Sequence, residues 1–277
     1  MPEGDTLRRT ADGLRPHLAG KVLRAATARA PGPRVDRLVG ARIDAVESLG
    51  KNLLVRFDSG LELRTHLGMH GAWHRYRPGE PWRRARARAR LVLEVDGAVA
   101  VCFDARTVEL LEIRAEALHP PLGGLGPDLL DPAVDEAEAL RRLAAPERAR
   151  LPIAEALLDQ RALAGIGNVY KCEVLFIERV HPFAPVGSLA PATLARLIAT
   201  ARRLLVANAD RRTSGERRTT DGDPAAGGAR LWVYGRGGRP CRRCATRIAT
   251  RRHGELPRVT WWCPGCQPGA RIIPPDV

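Results

Sequence analysis

Six cysteines stand in the 277-residue chain, and four form a pattern: Cys241-x2-Cys244, 18 intervening residues, then Cys263-x2-Cys266. Two such pairs let two tight knuckles each supply two thiolates to one tetrahedral ion, so the spacing predicts a four-sulfur zinc site. With all four positions taken by sulfur the ion has no place for a substrate, and its role is structural. Disulfides are the weaker alternative in a chain without a secretory signal. Cys102 and Cys172 lie among apolar residues and read as inert core.

The chain opens Met1-Pro2-Glu3-Gly4-Asp5. Removal of Met1 would leave Pro2 as a free secondary amine. An α-amine titrates near about 7.7–8.0, against about 10.4 for a lysine, so a usable fraction is unprotonated at neutral pH. Such an amine can attack an aldehyde-like carbon and form an iminium, with Glu3 beside it to pass protons. The bland alternative is an ordinary second residue followed by a helix-start acid.

Three other segments carry chemistry. Gly50-Lys51-Asn52-Leu53-Leu54 places Lys51, one of only three lysines, at the mouth of a strand. A lysine there can give up a proton, which a guanidinium cannot. Ala164-Gly165-Ile166-Gly167-Asn168-Val169-Tyr170 joins two apolar helical segments. Such a turn either presents amide groups to a phosphate at Asn168 or is a plain helix–helix connection. Arg258-Val259-Thr260-Trp261-Trp262 runs into Cys263, which sets an arginine near the tip of a metal-braced hairpin. The two tryptophans are expected to pack the knuckle rather than stack on bases.

The elements that must hold these residues follow from periodicity. Leu7, Ala11, Leu14 and Leu18 fall at helical spacing over 6–18, with Asp5 or Thr6 as N-cap. From Lys21 to Glu112 short strands alternate with turns. Asp58-Ser59-Gly60 and Asp96-Gly97 each separate two apolar runs and signal hairpins. This half, 1–114, reads as an antiparallel β-sandwich with a leading helix. Residues 115–132, rich in Pro and Gly, read as an interdomain linker. Helical patterns at about 133–144, 153–163, 169–178 and 191–209 make 133–230 a helical domain. Its last part, 211–230, reads as a mobile loop, and 231–267 as the zinc hairpin. The fold class is α+β.

Charge points to the partner. Forty-five Lys and Arg against 31 Asp and Glu leave +14, the footprint of a protein that meets a polyanion. All the basic residues but Lys21, Lys51 and Lys171 are arginines, which codon bias could also produce. The absence of a long apolar run predicts a soluble, cytoplasmic protein with no membrane partner.

The sequence resembles the formamidopyrimidine-DNA glycosylase/endonuclease VIII family of base-excision repair enzymes. The resemblance rests on the Met-Pro-Glu-Gly opening, Gly50-Lys51, His66-Leu67-Gly68-Met69, Leu125-Gly126-Pro127-Asp128, the stretch from Leu158-Asp159-Gln160 to Tyr170, Val233-Tyr234-Gly235-Arg236 and the four-cysteine finger. It implies a helix–two-turn–helix element over 158–178 and a monomer that binds damaged double-stranded or single-stranded DNA beside the bacterial nucleoid. It implies that Pro2 attacks C1′ of the damaged nucleotide and that Glu3 is the general acid/base. Lys51 would assist lyase chemistry and contact phosphate, Asn168 would bind backbone phosphate, and Arg258 would grip phosphates around the extruded nucleotide. Met69 and His70 are the candidates to fill the space that nucleotide leaves.

Departures bear on substrate. Thr6 stands where the family usually has Glu, and Gly68 and Gly124 where endonuclease VIII has DNA-contacting side chains. Asp104-Ala105-Arg106-Thr107-Val108 lacks the Arg-Arg-Phe run with which the 8-oxoguanine branch fills the helix. Ala154 stands near that branch's lysine. These features favour the endonuclease VIII branch and oxidised pyrimidines. The alternatives are a catalytically impaired DNA-binding paralogue, a glycosylase for oxidised purines, and an unrelated zinc-ribbon RNA-binding protein.

Overall fold

A computed structural model describes residues 2–210, 217–220, 230–254 and 258–269. The chain divides into two compact units, Met1–Gly124 and Leu125–Val277. The division falls inside the segment expected as a linker. That segment holds a 3-10 stretch at Ile113–Leu118 and a short helix, α2, at Pro120–Gly123, while Leu129 and Leu130 are buried in the second unit's core.

The first unit opens with helix α1, Gly4–Leu18, whose Leu7, Ala11, Leu14 and Leu18 are all buried as the spacing predicts. The helix begins earlier than expected and its N-cap is Glu3, not Asp5 or Thr6. The Glu3 carbonyl accepts from the Thr6 and Leu7 amides, which closes the first turn ahead of both. Eight strands follow: β1 Leu23–Ala28, β2 Ile43–Leu49, β3 Asn52–Phe57, β4 Leu61–His66, β5 Ala72–Tyr76, β6 Ala89–Val95, β7 Ala98–Phe103 and β8 Thr107–Glu112. They form two four-stranded antiparallel sheets, ordered β1-β6-β7-β5 and β2-β3-β4-β8. One core takes Leu23, Leu91 and Leu93 from the first sheet, Val46, Val55 and Leu63 from the second, and the apolar stripe of α1. Both predicted hairpins are present, β3–β4 and β6–β7.

In the second unit, α3 spans Glu136–Leu143, capped by Asp135 accepting from the Ala137 and Glu138 amides. Helix α4 covers only Ile153–Ala156, α5 Asn168–Ile177 and α6 Pro191–Ala209. The helix expected over 153–163 ends at Ala156 because its continuation is claimed by other partners. Asp159 accepts from Arg148 at 2.7 Å, and Gln160 Nε2 donates to the carbonyls of Leu158 and Ile166. The two strands of the C-terminal hairpin are β9, Ala249–His253, and β10, Arg258–Trp262. Most of the predicted loop at 211–230 lies outside the described residues. The Arg218 amide and Thr219 within it are bound to Asn208 and Glu173.

Candidate nucleic-acid and metal sites

In the first unit, Pro2 is half-buried directly ahead of α1, and Glu3 is fully buried at its start. The positive end of the α1 dipole therefore lies close in sequence to the Pro2 nitrogen, an environment that disfavours a cation and suits an anion. Asp5 is fully buried one residue into the helix, 3.6 Å from Arg9 Nη1.

Lys51 occupies the turn between β2 and β3, the two strands against which α1 packs, next to Gly50 at φ 56°. A left-handed residue at that point lets the chain reverse at once. The turn is braced from below. Asn52 Nδ2 donates to the Leu49 carbonyl, and Asn52 Oδ1 accepts from Arg64 Nε at 3.0 Å. Arg64 is buried and paired to Glu109 at 2.5 Å.

Met69 is 61% exposed, a large apolar side chain offered to solvent on a turn. With His70, Arg88, Asp104 and Arg106 it lines a pocket of about 380 Å³. Asp104 holds Arg84 and Arg88 at 2.8 and 2.7 Å, and Arg84 donates to the His70 carbonyl. Asp104 adopts φ 51°, backbone strain that these two ion pairs sustain. Thr107 and Val108 are strand residues opposite His66 and Thr65, not part of a plug, whereas Arg106 stands beside Met69. In the sequence Arg84 carries no signal that sets it apart from the many arginines, and Arg106 stands out only as part of the 104–108 run, without a role.

In the second unit, Gln160 and Gly165 shape the turn before α5. Gly165, at φ 98°, donates its amide to Gln160 Oε1. The Leu125–Asp128 motif is pinned to the same turn, with Gly126 N on the Gln160 carbonyl at 2.8 Å and Ala164 N on the Pro127 carbonyl at 3.0 Å. Asn168 begins α5, but its side chain faces inward. Nδ2 donates to the Val259 carbonyl at 2.9 Å, and Oδ1 accepts from Lys171 Nζ at 2.6 Å. Asn168 thus ties the helix to the strand that starts with Arg258. Lys171 is fully buried, and its signal in sequence was only its rarity among arginines.

Glu173, also fully buried, accepts from the amides of Trp232, Val233 and Tyr234 and from the Thr219 hydroxyl. Burial pushes its carboxyl pKa up, and these four donors pull the other way. The Val233-Tyr234-Gly235-Arg236 motif is thereby wrapped around α5. Its place as the one acid of α5 was the available signal.

The four cysteines converge, with all four sulfurs within 4.8 Å of one another. Separations of 3.9 Å for Cys241–Cys266 and 3.3 Å for Cys244–Cys263 exclude disulfide bonds at about 2.05 Å. They bracket the ~3.8 Å edge of a tetrahedron with sulfur about 2.3 Å from a central ion. The Thr246 hydroxyl and amide lower the Cys244 thiol to about 6, whereas burial pushes the Cys263 and Cys266 thiols up. Trp261 packs against the cysteine cluster and on Tyr234 at 4.6 Å, whereas Trp262 packs on Phe183 at 5.2 Å. Cys102 and Cys172 are buried.

Known proteins share this fold. Residues 1–110 match the formamidopyrimidine-DNA glycosylase N-terminal domain, and residues 125–219 the formamidopyrimidine-DNA glycosylase H2TH domain. The chain belongs to the formamidopyrimidine-DNA glycosylase/endonuclease VIII family. It is 43% identical over 273 residues to the probable endonuclease 8 2 of Streptomyces coelicolor, covering 97% of this chain and 95% of that one. It is 44% identical over 268 residues to the DNA-(apurinic or apyrimidinic site) lyase Nei2 of Mycolicibacterium smegmatis, covering 96% and 99%. The crystal structure of the MutM (Fpg) protein of Thermus thermophilus superposes with a TM-score of 0.79 at 33% identity, covering 96% and 98%. The matched H2TH region, 125–219, contains α3, α4, the Gln160 turn, α5 and α6. Among the described residues no helix is long and apolar enough to cross a membrane.

Proposed function

We propose that this family member is a bifunctional DNA glycosylase and abasic-site lyase of base-excision repair, acting on oxidised pyrimidines. The observation that carries it is the Pro2-Glu3 pair: once Met1 is removed, a secondary amine would stand at the positive end of α1 beside a fully buried glutamate. A damaged base must leave the stack before C1′ can be reached. The Pro2 amine then attacks C1′, the base departs, and Glu3 protonates the ring oxygen as the sugar opens to an iminium. The iminium acidifies the C2′ proton. Its loss expels the 3′ phosphate, and a second elimination expels the 5′ phosphate. Hydrolysis of the remaining iminium frees Pro2.

Lys51, on its braced turn, supplies a cation that can also exchange a proton, and Arg258 a fixed one for phosphate. Asn168 is buried with one Nδ2 hydrogen on the Val259 carbonyl, and in this reading its remaining Nδ2 hydrogen is the one that would reach a phosphate oxygen. Exposed Met69, with His70, is the group to enter the vacated space. Cys241, Cys244, Cys263 and Cys266 would hold one zinc ion, which stiffens the knuckles and fixes the hairpin without touching substrate.

The pyrimidine assignment rests on Thr107 and Val108, which are paired in β8 and too short to plug the helix. Arg106 beside Met69 favours a second reading, oxidised purines, because its forked guanidinium can address an orphan base. Single-turnover cleavage of duplexes differing only in the lesion separates the two. Faster removal of thymine glycol or 5-hydroxycytosine supports the first reading. Faster removal of 8-oxoguanine opposite cytosine supports the second.

A further inference from the structure

The outer face of the β1-β6-β7-β5 sheet carries a small core of its own, Tyr76, Val101 and Phe103 with Trp82 against them. The chain crossing it is strongly basic. Between Arg75 and Arg90 stand seven arginines and one acid, Glu80. Asp104 holds Arg84 and Arg88. The guanidinium groups of Arg75, Arg77, Arg83, Arg86 and Arg90 form no ion pair with a carboxylate among the described residues, although the Arg77 amide donates to Glu80.

Three arginines meet in one place. A pocket of about 430 Å³ is lined by Thr27, Arg29, Trp82, Arg86 and Arg90, together with small and aliphatic residues and no carboxylate. Each guanidinium is set in position. Arg86 lies over the Trp82 ring at 4.6 Å, and that ring is itself stacked on Tyr76 at 6.1 Å. Arg29 donates to the Ala87 carbonyl at 2.6 Å. Arg90 Nε is buried with no hydrogen-bond partner. Like charges gathered without a counter-ion repel, and a buried donor left unpaired costs free energy. An oxyanion in the pocket relieves both, and planar guanidinium forks are the geometry that grips phosphate.

The strip also has a direction. Arg88 lines the pocket that holds Met69 and His70, and the 3-10 turn Arg86–Arg88 leads from there to the three-arginine pocket. A row of cations suits a polymer of phosphates better than a single small anion. We propose that the Arg29–Arg86–Arg90 pocket binds backbone phosphate of the DNA beyond the segment held at the N-terminal amine. This rests on the reading of the chain as a DNA enzyme, and gives it a longer footprint.

The test is a scan of single methylphosphonates along both strands of a duplex carrying a reduced abasic site. Binding is compared between wild type and Arg29→Ala/Arg86→Ala/Arg90→Ala. Wild type is expected to lose roughly tenfold in affinity at one or more positions, the weight of one charge-assisted contact, and the triple variant to show no loss there. The slope of log K against log salt should also fall by at least about 0.9 in the variant. A control triple, Arg37→Ala/Arg150→Ala/Arg203→Ala, equal in charge change, should keep the wild-type scan. Identical scans in wild type and the pocket variant overturn the proposal. So does a pocket that binds inorganic phosphate, titrated alone, while the DNA scan is unchanged. Borohydride trapping on a natural abasic site reports the family chemistry separately. Should the triple variant fail to trap, Arg86→Ala alone, at an exposed side chain, carries the same scan.

Discussion

Lys171 Nζ lies 2.6 Å from Thr260 Oγ1, and neither residue is exposed to water. The contact orders the protons around it. An ammonium only donates, so the Thr260 oxygen accepts, and its own hydrogen is left for His253 Nε2 at 2.5 Å. His253 Nδ1–H then donates to Glu155 at 3.1 Å. The chain from Lys171 to Glu155 requires neutral His253. Its pKa is lowered chiefly by burial, against the raising effect of Glu155 and with the further lowering effect of the Lys171 charge. Helix α5 thereby clamps the strand that begins at Arg258.

Lys171→Met should therefore unfasten β10 while leaving helix α5 apolar and intact. An expected loss of about 1–3 kcal/mol, the cost of unpairing buried polar partners, would appear as a lower Tm. Hydrogen exchange at 258–262 should accelerate. A double-mutant cycle with Thr260→Val should show coupling, since the two side chains share one contact. Additive effects would mean that the pair does not act as a unit.

Stability should fall as pH drops below about 6.5, the free histidine value. His74, His181 and His253 all have folded pKa values lowered first by burial. The unfolded chain therefore takes up protons before the folded one, and stability rises with pH through this window. It is fully present above about 6.5 and is lost as pH falls towards the folded values. Thermal unfolding between pH 5.5 and 7.5 measures it, and His253→Gln should flatten the curve. An equal slope in that variant would remove His253 from the explanation.

Chelation should release one metal ion per chain, identified as zinc by elemental analysis. Small knuckles bury too little surface to fold alone, so the hairpin should unfold while the β-sandwich persists. Fluorescence can follow this, because Trp232, Trp261 and Trp262 belong to the finger region and Trp73 and Trp82 to the sandwich. Active, folded protein without zinc would contradict the assignment.

Arg258→Ala and Asn168→Ala should weaken binding to damaged and undamaged DNA by the same factor, because phosphate contacts carry no base information. Each lost phosphate contact should reduce the salt slope by about 0.9. Fluorescence anisotropy over a salt series measures both quantities. A loss confined to one lesion would place these residues in base recognition instead.

Much of this was legible in the chain because it rests on local chemistry. Asp58-Ser59-Gly60 and Asp96-Gly97 can hardly do other than reverse a strand, and paired C-x2-C spacing has few uses. The apolar spacing of α1 was equally plain, although its cap was not, since a backbone carbonyl at Glu3 leaves no mark in side-chain pattern. The buried polar groups were hidden for another reason. Lys171 and Thr260 are 89 positions apart, and Glu173 is 59 to 61 from the amides it accepts. Read locally, a lysine and a glutamate on a helix look like solvent-facing residues. Only the wrapping of the finger around α5 makes them interior. Helix 153–163 failed for the same cause, as Asp159 and Gln160 answer to Arg148 and the 165–166 turn rather than to the helix.

The central claim is that the Pro2 nitrogen is the nucleophile. Its most direct test is borohydride reduction of the protein on DNA with a single abasic site, followed by peptide mass mapping of the covalent product. The expected result is one cross-linked species whose modified residue is Pro2, absent from Pro2→Gly and from protein with a verified uncleaved extension ahead of Pro2, although both still bind the DNA. A cross-link at Lys51 or Lys171, or full trapping with the N-terminus blocked, would contradict it.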